Sequence, residues 1–334
     1  MATQEKNQLS GSPLPMVSVI LPILNEEPYL RDAVHSILSQ DYHGKFEVVL
    51  AVGPSQDRTQ EIADQLHAED SRVIVVANPS GRTAAGLNAA LASSRGSVIV
   101  RVDGHAQIPS DYISVAVDLL ATTGAVNVGG MMAAQGVTTF EMAVAGAMRS
   151  PLGVGASRFH TGGVAGEVDT VYLGVFKKDA LVAIGGFDER FTRAQDWELN
   201  FRLRANGGTI YFDPRLEVTY RPRSTVAALA KQYFEYGRWR RVVSRRHKGT
   251  INYRYLAPPV AVAGFLTSLL MGALIHNVFY IPASIYLFFV AAASIKIAGS
   301  IAQYLYLLAI IPTMHFAWGI GFITSPKSIV PSSD

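Results

Sequence analysis

The sequence predicts an α/β protein, a mostly parallel sheet with flanking helices, followed by a C-terminal membrane-helix region. Between Val17 and Val102, β-branched runs alternate four times with stretches of helical spacing, the order that builds a doubly wound sheet. The strand runs are largely apolar at successive positions, as strands covered on both faces require. The last quarter of the chain carries three uncharged apolar runs, each about long enough to cross a bilayer core.

Residues 17–23, VSVILPI, form the first strand, and Leu24-Asn25-Glu26-Glu27 the loop at its carboxyl end. A helix over 28–39 follows, with Leu30, Val34, Ile37 and Leu38 on one face. The second strand, 46–52, runs into a polar loop that ends in a helix start, with Asp57 or Thr59 as cap and Ile62 and Leu66 as the buried stripe. Residues 73–77 are the third strand, 83–93 a helix, and 98–102 the fourth strand, which stops at Asp103-Gly104-His105. A further strand is expected at 126–130. The glycine-rich stretch 131–169 shows neither period and reads as a mobile loop over a site, with His160 as a polar loop residue. A strand at 171–176 and a short helix at 178–184 lead to Gly185-Gly186. A helix then runs from about Asp196 to Ala205 and stops at Gly207-Gly208.

The 334 residues carry a formal net charge of +3 and no cysteine, which excludes disulfides, thiolate metal sites and cysteine nucleophiles. Residues 1–15 are polar and read as a disordered lead-in, neither signal peptide nor anchor. The α/β domain is expected at 16–224, a basic amphipathic interfacial segment at 225–254, three transmembrane helices within 255–325 and a tail at 326–334. In the basic segment Leu229, Tyr233, Tyr236, Arg240 and Val243 follow one helical line, while Lys231, Arg238, Arg241 and Arg245 lie largely off it. That pattern suits a helix resting on lipid, with Trp239 near the headgroups. The run RWRRVVSRRHK stands just before the first apolar run, so by the positive-inside rule the α/β domain faces the cytoplasm. Lys296, between the second and third runs, agrees.

Chemistry is expected at the carboxyl ends of the strands, where open α/β sheets hold their ligands. No G-x-G-x-x-G follows the first strand and no G-x-x-x-x-G-K-[ST] occurs, so neither a dinucleotide site nor a P-loop is signalled. The strand-end loops carry Asn25, Glu26, Asp57 and Asp103 instead. Acidic loops can face a phosphate ligand only with a cation between them, and Asp103 with His105 supplies two suitable donors. The plainer alternatives are a turn at Asp103-Gly104 and helix capping by Asn25 and Asp57.

Four features taken together resemble the inverting glycosyltransferases of family 2, with the GT-A fold. They are Pro22-Ile23-Leu24-Asn25-Glu26, Ser55 to Thr59, Asp103-x-His105 and Gln195-Asp196-Trp197-Glu198. The resemblance covers roughly 17–246, and within the family it is to glucosyltransferases of the succinoglycan-biosynthesis type, through Asp103-x-His105, Arg221-Pro222-Arg223-Ser224 and QYFEYGRW at 232–239. It implies a UDP-sugar donor bound with Mg2+ or Mn2+. Pro22, Asn25, Glu26, Asp57 and Asp103 would line the nucleotide-sugar site, Asp103 and His105 would hold the metal, and Asp196 would be the catalytic base. Many relatives carry Asp-Gly-Ser where this chain has Gly53-Pro54-Ser55, so of the base-recognition loop only Asp57 is kept. Gln232, Arg238 and Trp239 are similar to an acceptor-binding Gln-x-x-Arg-Trp element, but five residues separate Gln from Arg instead of two. That spacing argues against processive synthesis and for a single transfer.

The resemblance thus implies a membrane-anchored inverting transferase moving a hexose, glucose by preference, to a lipid-linked or oligosaccharide acceptor in envelope or exopolysaccharide synthesis. Its location would be the plasma membrane, multi-pass, with membrane lipid as a partner and no nucleic-acid polymer. A polyprenyl-phosphate monosaccharide synthase and a non-catalytic membrane scaffold are the alternatives.

Overall fold

A computed structural model describes residues 13–329, so the expected lead-in and tail fall largely outside the described residues. The elements in chain order are β1 (Val17–Ile23), α1 (Leu30–Leu38), β2 (Phe46–Val52), α2 (Thr59–Glu69), β3 (Val73–Ala77), α3 (Thr83–Ser93), β4 (Val98–Arg101) and α4 (Tyr112–Thr123). There follow β5 (Asn127–Ala134), α5 (Thr139–Met148), α6 (Pro151–Val154), α7 (Arg158–Thr161), β6 (Gly166–Glu167), β7 (Tyr172–Lys177), α8 (Lys178–Ala183), α9 (Gln195–Ala205) and β8 (Ile210–Tyr220). The C-terminal helices are α10 (Val226–Arg246), α11 (Tyr253–Leu274), α12 (Ile281–Ile297) and α13 (Ile301–Thr324). The strands lie in the order β3-β2-β1-β4-β7-β5-β8-β6. β1, β2, β3 and β4 pair in parallel, and β7 joins β4 antiparallel.

The chain divides into two units. The first comprises the segments up to Gly129, Leu173–Phe187 and Leu203–Tyr211. Its apolar strands are covered on both faces, and Val19, Leu21, Val48, Leu50, Ile99 and Val100 are buried in consequence. Register sets which loops meet. Ile23 pairs with Val52, and Gly53 N donates to Ile23 O at 2.8 Å, so the loops after β1 and β2 leave the sheet side by side. β4 pairs with β1 from Val17↔Val98 to Ile20↔Arg101, and Val102 N donates to Ile20 O at 3.1 Å. The Asp103-Gly104-His105 turn therefore emerges next to the loop after β1. The helix α4 and the strand β8 have no counterpart among the predicted elements.

The second unit comprises Gly130–Tyr172, Asp188–Arg202 and the chain from Phe212 onward. Here the structure corrects the sequence reading twice. The stretch 131–169 is not a uniform loop: β5 continues to Ala134, and α5 is a ten-residue helix started by a capping box between Thr138 and Glu141. Its buried residues Ala143, Val144, Ala147 and Met148 pack with Leu229, Tyr233, Ile310, Ile311 and Met314. Nor does α10 present only polar and lipid-facing sides. A Cβ at Gly237 would collide with the Trp318 carbonyl, and one at Gly321 with the Phe234 carbonyl, so α10 and α13 touch backbone to backbone. Trp239, expected at headgroup level, is instead buried against Phe191 at 5.8 Å between ring centroids. Trp239 stands two positions from Gly237, so it faces away from α13 and is covered by Phe191, Val242 and Val243.

Three helical stretches, Tyr253–Leu274, Asn277–Ile297 and Ile301–Thr324, are long and apolar enough to cross a membrane. Pro258 and Pro259 interrupt the hydrogen-bond ladder early in α11. The Pro258 carbonyl there lies 2.7 Å from where a Cβ on Gly319 would stand, so a glycine of α13 makes room for the proline turn.

Candidate active site

In the first unit the loops after β1, β2 and β4 build a polar cluster. Asn25 takes the left-handed conformation, φ 56°, which an asparagine tolerates better than most residues. Its Oδ1 accepts from Gln56 N at 2.8 Å, and its own N–H donates to Ser55 Oγ at 3.1 Å. Asp57 closes the same seam: Oδ2 accepts from Glu27 N at 3.2 Å, while Oδ1 accepts from the Thr59 hydroxyl at 2.6 Å and the Thr59 N–H at 3.1 Å. The Thr59 hydroxyl, ahead of these backbone donors, holds the Asp57 carboxyl below its ordinary value. Both residues thus brace the loops; neither caps α2, whose N-cap position is Arg58 without a side-chain cap, although Asp57 takes the Thr59 N–H. Pro22 lies in β1 opposite Ala51.

Asp103 and His105 flank Gly104, and that glycine is required. A Cβ there would stand 2.8 Å from Ile23 Cγ2 and 3.0 Å from Glu26 Cγ, so only glycine lets this turn lie against the loop after β1. Asp103 Oδ1 lies 3.3 Å from Arg101 Nη2. His105 Nδ1 donates to Glu26 Oε1 at 2.8 Å. A carboxylate on one imidazole nitrogen fixes the ring and raises the basicity of the other, which is how metal-ligating histidines are commonly held. Among the described residues no three His, Cys, Asp or Glu side chains are grouped as a metal site. A cation at this edge would complete its shell from diphosphate oxygens, as Mg2+ does with nucleotide substrates. One hard carboxylate and one oriented imidazole fit that arrangement.

In the second unit Asp196 is half-buried in the first turn of α9, where the helix dipole favours a carboxylate. The residue two positions earlier, Ala194, has φ 60°, a strained conformation for a residue with a Cβ and of a kind that gathers at functional sites. Glu198 is buried and braces this helix. Its carboxylate accepts from Arg202 Nε and Nη2, each at 2.7 Å, and meets His247 Nε2 at 3.1 Å. Burial alone would raise the Glu198 carboxyl, but hydrogen bonds from His247 and Arg202 hold it below the usual range.

The three residues expected near an acceptor have partners within the protein. Gln232 Nε2 donates to the Tyr220 and Tyr236 hydroxyls at 2.7 and 2.9 Å. Arg238 pairs with Glu235 at 2.8 Å, and Trp239 is in the core. Sequence reasoning gave no site role to Arg240, whose guanidinium carbon lies 4.4 and 3.9 Å from the ring centroids of Trp197 and Tyr255.

The mostly parallel sheet, with acidic and amide side chains at its strand ends, defines the class as α/β, and its neighbours among solved structures are GT-A glycosyltransferases. The Glycosyl transferase family 2 model matches residues 18–191. The succinoglycan biosynthesis protein ExoA of Rhizobium meliloti (strain 1021) is 31% identical over 308 residues, covering 91% of this chain and 93% of that protein. The beta-monoglucosyldiacylglycerol synthase of a Synechocystis species is 28% identical over 284 residues, 78% of this chain and 58% of that one. Among solved structures, the mannosyltransferase PcManGT of Pyrobaculum calidifontis, in complex with GDP-Man and Mn2+, superposes with a TM-score of 0.59 at 19% identity, over 94% of this chain and 88% of that chain. TarS 1-349 of S. aureus in complex with UDP-GlcNAc gives a TM-score of 0.51 at 15% identity, over 91% of each chain. The chain belongs to glycosyltransferase family 2. It is a glycosyltransferase related to exopolysaccharide and glycolipid synthases, with apolar C-terminal helices that could cross a membrane.

Proposed function

We propose that the protein is a membrane-anchored, metal-dependent inverting glycosyltransferase. It moves a hexose, glucose by preference, from a UDP-sugar to a lipid-linked or polysaccharide acceptor in envelope or exopolysaccharide synthesis. The observation that carries this reading is the strand-end cluster of Asp103, His105 and Glu26, with the imidazole held by the carboxylate at 2.8 Å. Asp103 and His105 would hold a Mg2+ or Mn2+ ion, and its chemistry there would be neutralisation of charge on the departing diphosphate. Pro22, Asn25, Glu26 and Asp57 line the nucleotide side, the last three through loops braced against each other. Asp196 accepts the proton of the acceptor hydroxyl, whose oxygen attacks the anomeric carbon from the face opposite the nucleotide, with inversion and without a covalent glycosyl-enzyme. Gln232, Arg238 and Trp239 shape the acceptor end from α10. The basic residues around 238–248 keep the transferase domain on the cytoplasmic side of a multi-pass plasma-membrane protein.

The reading is tested with full-length protein in membranes, supplied with lipid extract and a panel of UDP-glucose, UDP-galactose and GDP-mannose, with and without Mn2+ or Mg2+. Release of UDP is expected to depend on the cation and on Asp103. Asp196→Asn is expected to lower it by about 10²-fold or more, the span of a lost general base, with UDP binding unchanged. Full release from Asp196→Asn would refute the assignment.

A further inference from the structure

Arg240 is a cation in a place where a cation is costly. It is 4% exposed, and the rings of Trp197 and Tyr255 pack against its guanidinium with their centroids 4.4 and 3.9 Å from the guanidinium carbon, edge to face with one another. Those ring contacts satisfy none of its N–H groups, which remain its hydrogen-bonding capacity. Nη2 donates to the Thr250 carbonyl. Nε and Nη1, which carry three N–H groups between them, are buried with no hydrogen-bond partner among the described residues. The carboxylate whose charge Arg240 feels is Asp169, and no hydrogen bond from Nε or Nη1 reaches it. Unfilled donors on a buried cation are strongly destabilising unless an anion comes to them.

The surroundings say which anion. Trp197 directly follows Asp196 in α9, and Tyr255 stands in the first turn of α11, the first stretch able to cross a membrane. From the same end of α11, Tyr253, Leu256 and Val260 are exposed at helical spacing, an apolar strip on which a hydrocarbon chain can lie. A buried Arg packed on the first turn of a span that carries an open apolar strip suits an amphiphile with an anionic head. We propose that Arg240 is the anchor for the phosphate headgroup of a lipid acceptor, with Thr250 on the 247–252 strap yielding its place to a phosphate oxygen. This rests on the reading of Asp196 as the base and names the acceptor class for that same reaction.

The test needs no turnover. Full-length protein in zwitterionic nanodiscs is titrated with farnesyl phosphate, farnesol and inorganic phosphate, with intrinsic tryptophan fluorescence as the readout, since Trp197 lies on the guanidinium. Farnesyl phosphate is expected to bind at least tenfold more tightly than farnesol, inorganic phosphate not to displace it, and Arg240→Met to abolish the preference. Arg240→Lys, which keeps the charge but not the planar stacking, should narrow it, and it decides the matter if the Met variant does not fold. Equal binding of farnesyl phosphate and farnesol, or a preference that survives in Arg240→Lys and Arg240→Met alike, would overturn the proposal. Displacement by inorganic phosphate at equal concentration would also overturn it, leaving a site for free phosphate. Asp196-dependent UDP release is measured separately, so loss of the lipid preference alone sinks Arg240 while leaving the transferase reading intact.

Discussion

Glu26 and His105 are 79 positions apart in sequence and 2.8 Å apart in space, and the contact changes what the histidine can do. An imidazole without a second partner would rotate and compete poorly for a cation; one clamped by a carboxylate is held in one orientation. Glu26→Gln is therefore expected to weaken Mn2+ binding in the presence of UDP by about tenfold or more, measured by calorimetric titration. An unchanged affinity would reduce Glu26 to a loop residue. Glu198 makes a prediction of another kind. Its folded-state pKa is depressed by His247 and Arg202, so its contribution to stability is complete above the unfolded-state carboxylate value of about 4.3. That contribution is lost as pH falls through the lower folded value. Glu198→Gln should lower stability at pH 7 by about 3 kcal/mol, because Arg202 and His247 lose a buried partner, and should flatten the acid limb. Thermal unfolding of both forms between pH 7 and pH 3 checks the sign. Asp103 and His105 were legible in the sequence because they follow a strand run, and Asp196 through the resemblance carried by Gln195-Asp196-Trp197-Glu198. Their partners were not, because a hydrogen bond across tens of residues leaves no local pattern.

At the scale of elements, periodicity located β1, β2, β3 and α3 at their observed bounds, since a strand covered on both faces must be apolar throughout. It failed at α5. Glycines on either side hid the Thr138 to Glu141 capping box, although that signature was there to be read. It failed differently at α10, whose basic outer face matches an interfacial helix but whose Gly237 is used against α13. Gly237→Ala should therefore act as an overpacking change rather than gain helix propensity. The expected cost is about 1–3 kcal/mol, seen as a lower unfolding midpoint of the detergent-solubilised protein. If Gly237→Ala matched the wild type, or stabilised it as an exposed helical Gly→Ala change does, the close approach of α10 and α13 would be wrong.

For the whole molecule, the proposed orientation in a membrane rests on charge alone, and it can be tested directly because there is no cysteine to interfere. A membrane-impermeant maleimide applied to intact cells is expected to label Asn277→Cys and to leave Lys248→Cys unlabelled until the membrane is opened. The reverse pattern would invert the topology. The sequence by itself determined the class of fold, the strand-end position of Asp103 and His105 and the three apolar runs, because each is written in local periodicity or in residues next to one another. Only the tertiary structure decided that Glu26 holds His105, that Asp57 braces two loops, that Trp239 is buried and that Arg240 packs against Trp197 and Tyr255. Those contacts depend on register and close backbone approach, which are set when distant segments compete for the same space, and no local stretch of sequence records the outcome of that competition.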